Sequence, residues 1–142
     1  MTLKIEPLIG CTLADVYQVF MQAFSDYLLD FSHVTEYSFR NRAIKNGVDL
    51  KQSVGAFSDG ALVGFTLVGL DHFDGSPCAF DAATGIIKAY RGKGIASAMY
   101  DFLTPRLVRS GVERFILEVL KENTPAIKAY QKAGFQATRV LG

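Results

Sequence analysis

Apolar and polar positions change period several times along the chain, and each change marks an element. Residues 2–8 alternate, with Leu3, Ile5 and Pro7 on one face and Lys4 and Glu6 on the other, which predicts an amphipathic strand. Thr12 then precedes Asp15 by three positions, a helix N-cap followed by an acid in the first turn. Leu13, Val16, Tyr17, Phe20, Met21 and Phe24 recur at helical spacing and predict a helix over 13–25. Residues 26–37 are aromatic-rich and irregular (Tyr27, Phe31, His33, Tyr37), and a weaker helix is expected to start at Ser38 and stop at Gly47. Residues 53–57 read as a short strand. Ser58-Asp59-Gly60 suits a tight hairpin turn, because a type I′ turn needs positive φ and Asp-Gly adopts it at low cost. Residues 61–70, the longest apolar run, predict a buried strand; Asp74-Gly75-Ser76-Pro77 predicts a turn, and residues 78–88 a further strand.

After that the pattern turns to alternation of helix and strand. Residues 91–96 are glycine-rich, and Ile95, Met99, Phe102, Leu103 and Leu107 form a helical stripe ending near Gly111. Residues 115–120, apolar except for Glu118, predict a strand. Thr124-Pro125 reads as an N-cap with proline at the first helical position, Ala126, Ile127, Tyr130 and Ala133 continue that helix, and Gly134 ends it. Residues 136–141 are a last strand. The order β-α-α-β-β-β-α-β-α-β describes a mixed sheet with helices on its faces, class α/β (or α+β), in one domain over residues 1–142.

Composition narrows the classes of function. With 142 residues and 49% apolar content the chain can bury enough surface to fold. A ten-residue apolar run is about half of what a bilayer span needs. Lys4 and Glu6 interrupt the first apolar stretch, so it does not read as a secretory leader. A net charge of +1 argues against a general nucleic-acid or anionic-membrane binder, so any phosphate ligand must be held locally. Cys11 and Cys78 form no CxxC pair; they read as buried thiols rather than a disulfide or a metal site, as expected in the cytoplasm.

The candidate chemistry gathers at Ile86-Ile87-Lys88-Ala89-Tyr90-Arg91-Gly92-Lys93-Gly94-Ile95-Ala96. A strand runs through a two-glycine turn into a helix, whose first N–H groups lack intrahelical partners and whose dipole attracts anions. Arg91 and Lys93 add charge. A diphosphate suits such a turn; so does plain packing of a helix against a strand. The segment is not a P-loop, since Gly94 follows Lys93, nor a dinucleotide fingerprint, since Ser97 takes the place of the third glycine.

These residues resemble the GNAT superfamily of acyl-CoA-dependent N-acyltransferases. Arg91, Gly94 and Ala96 fit its [QR]-x-x-G-x-[GA] signature, and Asn123, Ala126, Tyr130, Lys132, Gly134 and Phe135 match N-x-x-A-x-x-x-Y-x-K-x-G-F one βα unit later. Lys88 stands where the family often has proline. The family's usual last strand is missing before Gly142, so the chain is expected either to be the N-terminal part of a longer protein or to have its sheet edge completed by a homodimer partner or another domain.

The resemblance implies acetyl-CoA as co-substrate, no metal, and a small-molecule or peptide amine as acceptor. It assigns the pyrophosphate to the backbone of Arg91, Gly92, Lys93, Gly94, Ile95 and Ala96, with the Arg91 side chain nearby, and the pantetheine arm to the strand edge at Ile86 and Ile87. Asn123 would hydrogen-bond that arm or cap its helix. Tyr130 would protonate the leaving thiolate, or belong to the apolar stripe of its helix. The amine must lose a proton, to a carboxylate or through water; Asp81 and Glu118 lie on strands near the cleft, and Asp71, Asp74 and Asp81 form either an acidic rim suited to a cationic amine or a solvated loop with a satisfied strand carboxylate. His33 reads as a loop histidine. Tyr27, Phe31 and Tyr37 either line an acceptor pocket or close the core. A domain that binds acyl-CoA as a sensor or scaffold without transferring it is the alternative.

Overall fold

A computed structural model describes residues 3–25, 31–73 and 75–116. Strand β1 (Leu3–Pro7) is followed by helices α1 (Leu13–Ala23) and α2 (Glu36–Lys45), strands β2 (Val54–Ser58), β3 (Ala61–Phe73) and β4 (Ser76–Ile86), helix α3 (Ile95–Arg109) and strand β5 (Arg114–Ile116). The sheet order is β1-β2-β3-β4-β5. The first four strands are antiparallel neighbours, and β5 lies parallel to β4. The helix and strand expected after Thr124 lie outside the described residues.

Local chemistry explains the element ends. Thr12 caps α1: its hydroxyl accepts from the Asp15 N–H at 3.2 Å, and the Asp15 carboxylate accepts from the Thr12 N–H at 2.9 Å. The same box recurs at α2, so the second helix begins at Glu36 rather than at Ser38; Thr35 is its cap and Ser38 closes the box. Asp59 and Gly60 carry the positive φ values, 50° and 87°, that the β2–β3 hairpin requires. Strand β3 continues past Leu70 to Phe73, and β4 starts at Ser76 and stops at Ile86, so the hairpin around Gly75 is tighter than its Asp-Gly-Ser-Pro sequence suggests.

Both faces of the sheet are covered. On one face α3 packs Ile95, Met99, Tyr100, Leu103 and Leu107 against Val54, Ala56, Val68 and Ala79. On the other, Val16, Val19 and Phe20 of α1 and Phe39 of α2 meet Leu8, Phe65 and Leu67. Burial on both faces accounts for the nearly continuous apolar run of β3. Cys11 and Cys78 are free thiols, half-buried and buried. Among the described residues no helix is long and apolar enough to cross a membrane.

Two irregularities set which side chains face which layer. Ala56 pairs with Gly64 and Phe57 with Leu62, so Val63 is an extra residue in β3 and turns to the α3 side. Leu67 pairs with Ala83 and Val68 with Asp81, so Ala82 is an extra residue in β4. Gly69 is a second tight point: a Cβ there would lie 2.6 Å from the Asn46 carbonyl oxygen and 2.4 Å from the Phe80 ring. Gly69→Ala is expected to destabilise the chain by about 1–3 kcal/mol, read as a lower denaturant midpoint with an unchanged slope.

Candidate active site

Strand β4 ends at Ile86 and the chain enters α3 through a turn in which Gly92 and Gly94 have φ of 76° and 77°. Left-handed backbone at both positions requires glycine. A Cβ on either would meet nothing within 4 Å, so the turn is open to solvent on that side. Gly94 is the N-cap of α3 and provides no side-chain cap. Among the described residues no protein group accepts a hydrogen bond from the backbone N–H of residues 94–97, the four donors that a helix start leaves over. Lys93 is exposed beside them.

Arg91 has a different place. Its Nε donates to the Ile86 carbonyl at 3.0 Å, and a terminal nitrogen donates to the Ala23 carbonyl. Ala23 is the last residue of α1, so the cation meets the negative end of that helix. The guanidinium therefore braces the turn against α1. Gly85 serves the same docking: a Cβ there would lie 3.0 Å from Phe24 and 3.1 Å from Ala23.

The free edge of β4 differs by one residue from the sequence expectation. The Ile87 N–H donates to the Val63 carbonyl at 2.9 Å, towards β3. Antiparallel alternation then turns the backbone groups of Thr84 and Ile86 to the opposite edge, where the Ile86 carbonyl already meets Arg91. On that edge the described β4–β5 pairing ends at Phe80 and Ile116. From Phe80 to Ile87 every β4 residue except Gly85 is only half-buried, in contrast to the buried run of β3.

Asp81 lies on this half-buried stretch. Successive side chains of a strand alternate faces, so residues three apart normally point in opposite directions; the extra Ala82 brings Asp81 and Thr84 to the α3 face together. Asp81 Oδ2 accepts from the Thr84 hydroxyl at 2.5 Å and from the Tyr100 hydroxyl at 2.7 Å. Thr66 extends the chain, its hydroxyl 2.9 Å from that of Thr84. Oδ1 is buried and has no hydrogen-bond partner. Burial pushes the carboxyl up to about 6, against the pull of the Thr84 and Tyr100 hydroxyls and the Ala83 amide.

The acidic rim inferred from sequence therefore loses a member: the bulge turns Asp81 inward, while Asp71 is exposed and Asp74 lies outside the described residues. His33 is exposed. Phe31 closes the core, 5.6 Å from the Phe20 ring and 5.1 Å from that of Phe24, whereas Tyr37 is 76% exposed. Tyr27, Glu118, Asn123, Tyr130 and Lys132 lie outside the described residues. The structure adds Thr84 and Tyr100, which sequence reasoning missed. Tyr100 adjoins Met99 in the apolar stripe, and a buried tyrosine needs a partner for its hydroxyl; that was the available signal.

The model of the acetyltransferase (GNAT) family matches residues 13–135. The chain belongs to this family. An uncharacterized N-acetyltransferase of Bacillus subtilis (strain 168), YdgE, is 37% identical over 62 residues, 44% of this chain and 40% of that protein. The chain thus spans well under half the length of this curated relative. Among solved structures, the ribosomal-protein-alanine N-acetyltransferase of Brucella melitensis biovar Abortus 2308 superposes with a TM-score of 0.71 at 20% identity, covering 98% of this chain and 95% of the other. The NatC complex bound to Gag peptide and CoA gives 0.76 at 18% identity, covering 98% and 87%. At these identities the structural likeness establishes the shared fold.

Two measurements follow from the site. Gly94→Ala places a methyl over open amides and strains left-handed backbone by roughly 1–2 kcal/mol; melting temperature should fall by a few degrees and coenzyme A affinity by more than about tenfold, read by calorimetry. For Asp81, folding raises proton affinity, so the folded chain holds a proton that the unfolded chain has lost between about pH 4 and pH 6. Stability then falls as pH rises through that window. Relative to Asp81→Asn, the wild type should lose up to about 3 kcal/mol between pH 4 and pH 8, checked by denaturant unfolding at both values.

Proposed function

We propose that the protein is an N-acetyltransferase that moves the acetyl group of acetyl-CoA to a primary amine by direct attack within a ternary complex. The observation that carries this reading is the set of uncapped N–H groups at residues 94–97, beside a half-buried strand edge, in a chain of the GNAT family. These amides and the positive end of α3 suit the diphosphate of coenzyme A. The backbone of Arg91, Gly92 and Lys93 shapes the approach, and Lys93 adds a solvated cation.

The pantetheine arm runs along the free edge of β4 as an added strand would. The Ile86 N–H is the donor of that edge nearest the turn, and it polarises the thioester oxygen as charge develops there. Ile87 supports it from the β3 side. Asp81, turned inward, takes the proton of the incoming ammonium through intervening water, which frees the nitrogen lone pair. The nitrogen then bonds to the thioester carbon, the carbon–sulfur bond breaks, and the sulfur leaves as a thiolate. Tyr130 gives that thiolate its hydroxyl proton, and the second proton, shed by the nitrogen as the amide forms, passes through water to restore the phenol; a phenol with pKa near ~10 suits this transfer. Asn123 holds the pantetheine arm or the start of the helix that bears Tyr130. The NatC structure, with a peptide and CoA bound, is consistent with a peptide amine as one acceptor class.

Calorimetric titration with acetyl-CoA tests the reading. Binding at micromolar concentration is expected, and no heat at high micromolar concentration overturns it. With an amine panel covering polyamines, aminoglycosides and lysine peptides, Tyr130→Phe should lower turnover by about 10²–10⁴-fold and leave acetyl-CoA affinity nearly unchanged. Tight binding without turnover on the whole panel would identify a sensor or scaffold domain instead.

A further inference from the structure

The hydrogen-bond pattern around Asp81 is lopsided. Three hydroxyls supply three protons. Those of Thr84 and Tyr100 both go to Oδ2, and that of Thr66 satisfies Thr84. Oδ1 is buried beside them and receives none. A carboxylate free to rotate would share two donors between its two oxygens; this one is held with both on one side.

We propose that Thr84 and Tyr100 are positioning residues, which clamp the Asp81 carboxyl by Oδ2 so that Oδ1 alone is left to take and release a proton. The inference rests on the reading of Asp81 as the proton acceptor, and it names what makes that residue fit the task. The clamp spans two elements, Thr84 on β4 and Tyr100 on α3, and it depends on the Ala82 bulge that aligns Asp81 with Thr84. Tyr100 is fully buried and Thr84 half-buried.

Burial acts most strongly on the carboxyl; against it work the two hydroxyls and the Ala83 amide, and of these the hydroxyls are the ones a substitution can remove. Thr66 faces it from β3, Tyr100 from α3, and Phe115 of β5 packs 6.3 Å from the Tyr100 ring. These groups carry no charge at neutral pH, and no neighbouring charge is among the causes of the Asp81 shift. Glu118 and Glu122, which follow the described part of β5 in the sequence, are the acids to control for. Both hydroxyls favour the ionised form, so removing either must make Oδ1 hold its proton more tightly.

The experiment is a titration of the aspartate carboxyl carbons in ¹³C-labelled protein from pH 4 to 9, with Asp81→Asn assigning the Asp81 signal. Glu118→Gln and Glu122→Gln serve as the charge controls. In Tyr100→Phe and Thr84→Val the Asp81 midpoint should rise by roughly one pH unit. The acid limb of acetyl transfer to the amine panel should rise with it, an approximately tenfold loss well below the limb and none at pH 9. If Tyr100→Phe does not fold, Thr84→Val carries the test alone. An unmoved midpoint in the folded variants overturns the clamp. A midpoint that rises while the acid limb stays put leaves the clamp standing and overturns Asp81 as the proton acceptor.

Discussion

A helix cannot satisfy its own first four N–H groups, and at the start of α3 no other described group satisfies them either. Many helix starts are closed by a side chain, and among the described residues the other two long helices are closed by Thr12 and Thr35. At α3 the cap position is a glycine in the left-handed region, which offers no acceptor. The surrounding construction keeps that end open and steady. Two left-handed glycines turn the chain, Arg91 ties the turn to the end of α1, and six buried side chains anchor α3 beneath the sheet. The arrangement leaves four backbone donors open at the start of α3, among the described residues.

The same logic operates at Asp81. A buried carboxyl with an unpartnered oxygen works against stability when ionised. The bulge at Ala82 and the hydroxyls of Thr84 and Tyr100 maintain it nonetheless, next to the strand edge that ends at the open turn. Strain of this kind tends to gather where a protein does chemistry. Both features belong to β4, one at its bulge and one just past its end, so a single strand carries the buried carboxyl and leads to the open amides.

Helix α1 is the third part. Its C-terminal turn rests on Gly85, where no side chain would fit without displacing Phe24 or Ala23, and its last carbonyl takes the Arg91 cation. The aromatic rings of Phe20, Phe24 and Phe31 pack within 4.8 to 5.6 Å of one another beyond that point. The turn at the start of α3 and the Phe31 ring therefore both rest on the C-terminal end of α1. Arg91 thus acts on the turn through the shape that it imposes, in addition to its charge.

Much of this could be read from the letters. Period-two and period-3.6 patterns identified the described strands and helices, because a two-sided sheet and its helices must repeat their apolar positions at those intervals. Capping residues and Asp-Gly fixed most ends, since they act through neighbours three residues away or fewer. The glycine turn stood out for the same local reason. The start of α2 was misread by two residues because Thr35 and Ser38 can both serve as caps, and only the reciprocal bonds distinguish them. The clamp on Asp81, the bracing by Arg91 and the choice of Ile86 over Ile87 as the free strand edge were beyond sequence reasoning. Each depends on which face or edge a residue takes, and one inserted residue, Ala82, reverses that parity for the side chains beyond it. Contacts across 16 to 68 positions, from Tyr100 to Thr84 and from Arg91 to Ala23, exist only once the layers have packed. Local propensity determined the elements; the tertiary structure decided which oxygen was left without a partner.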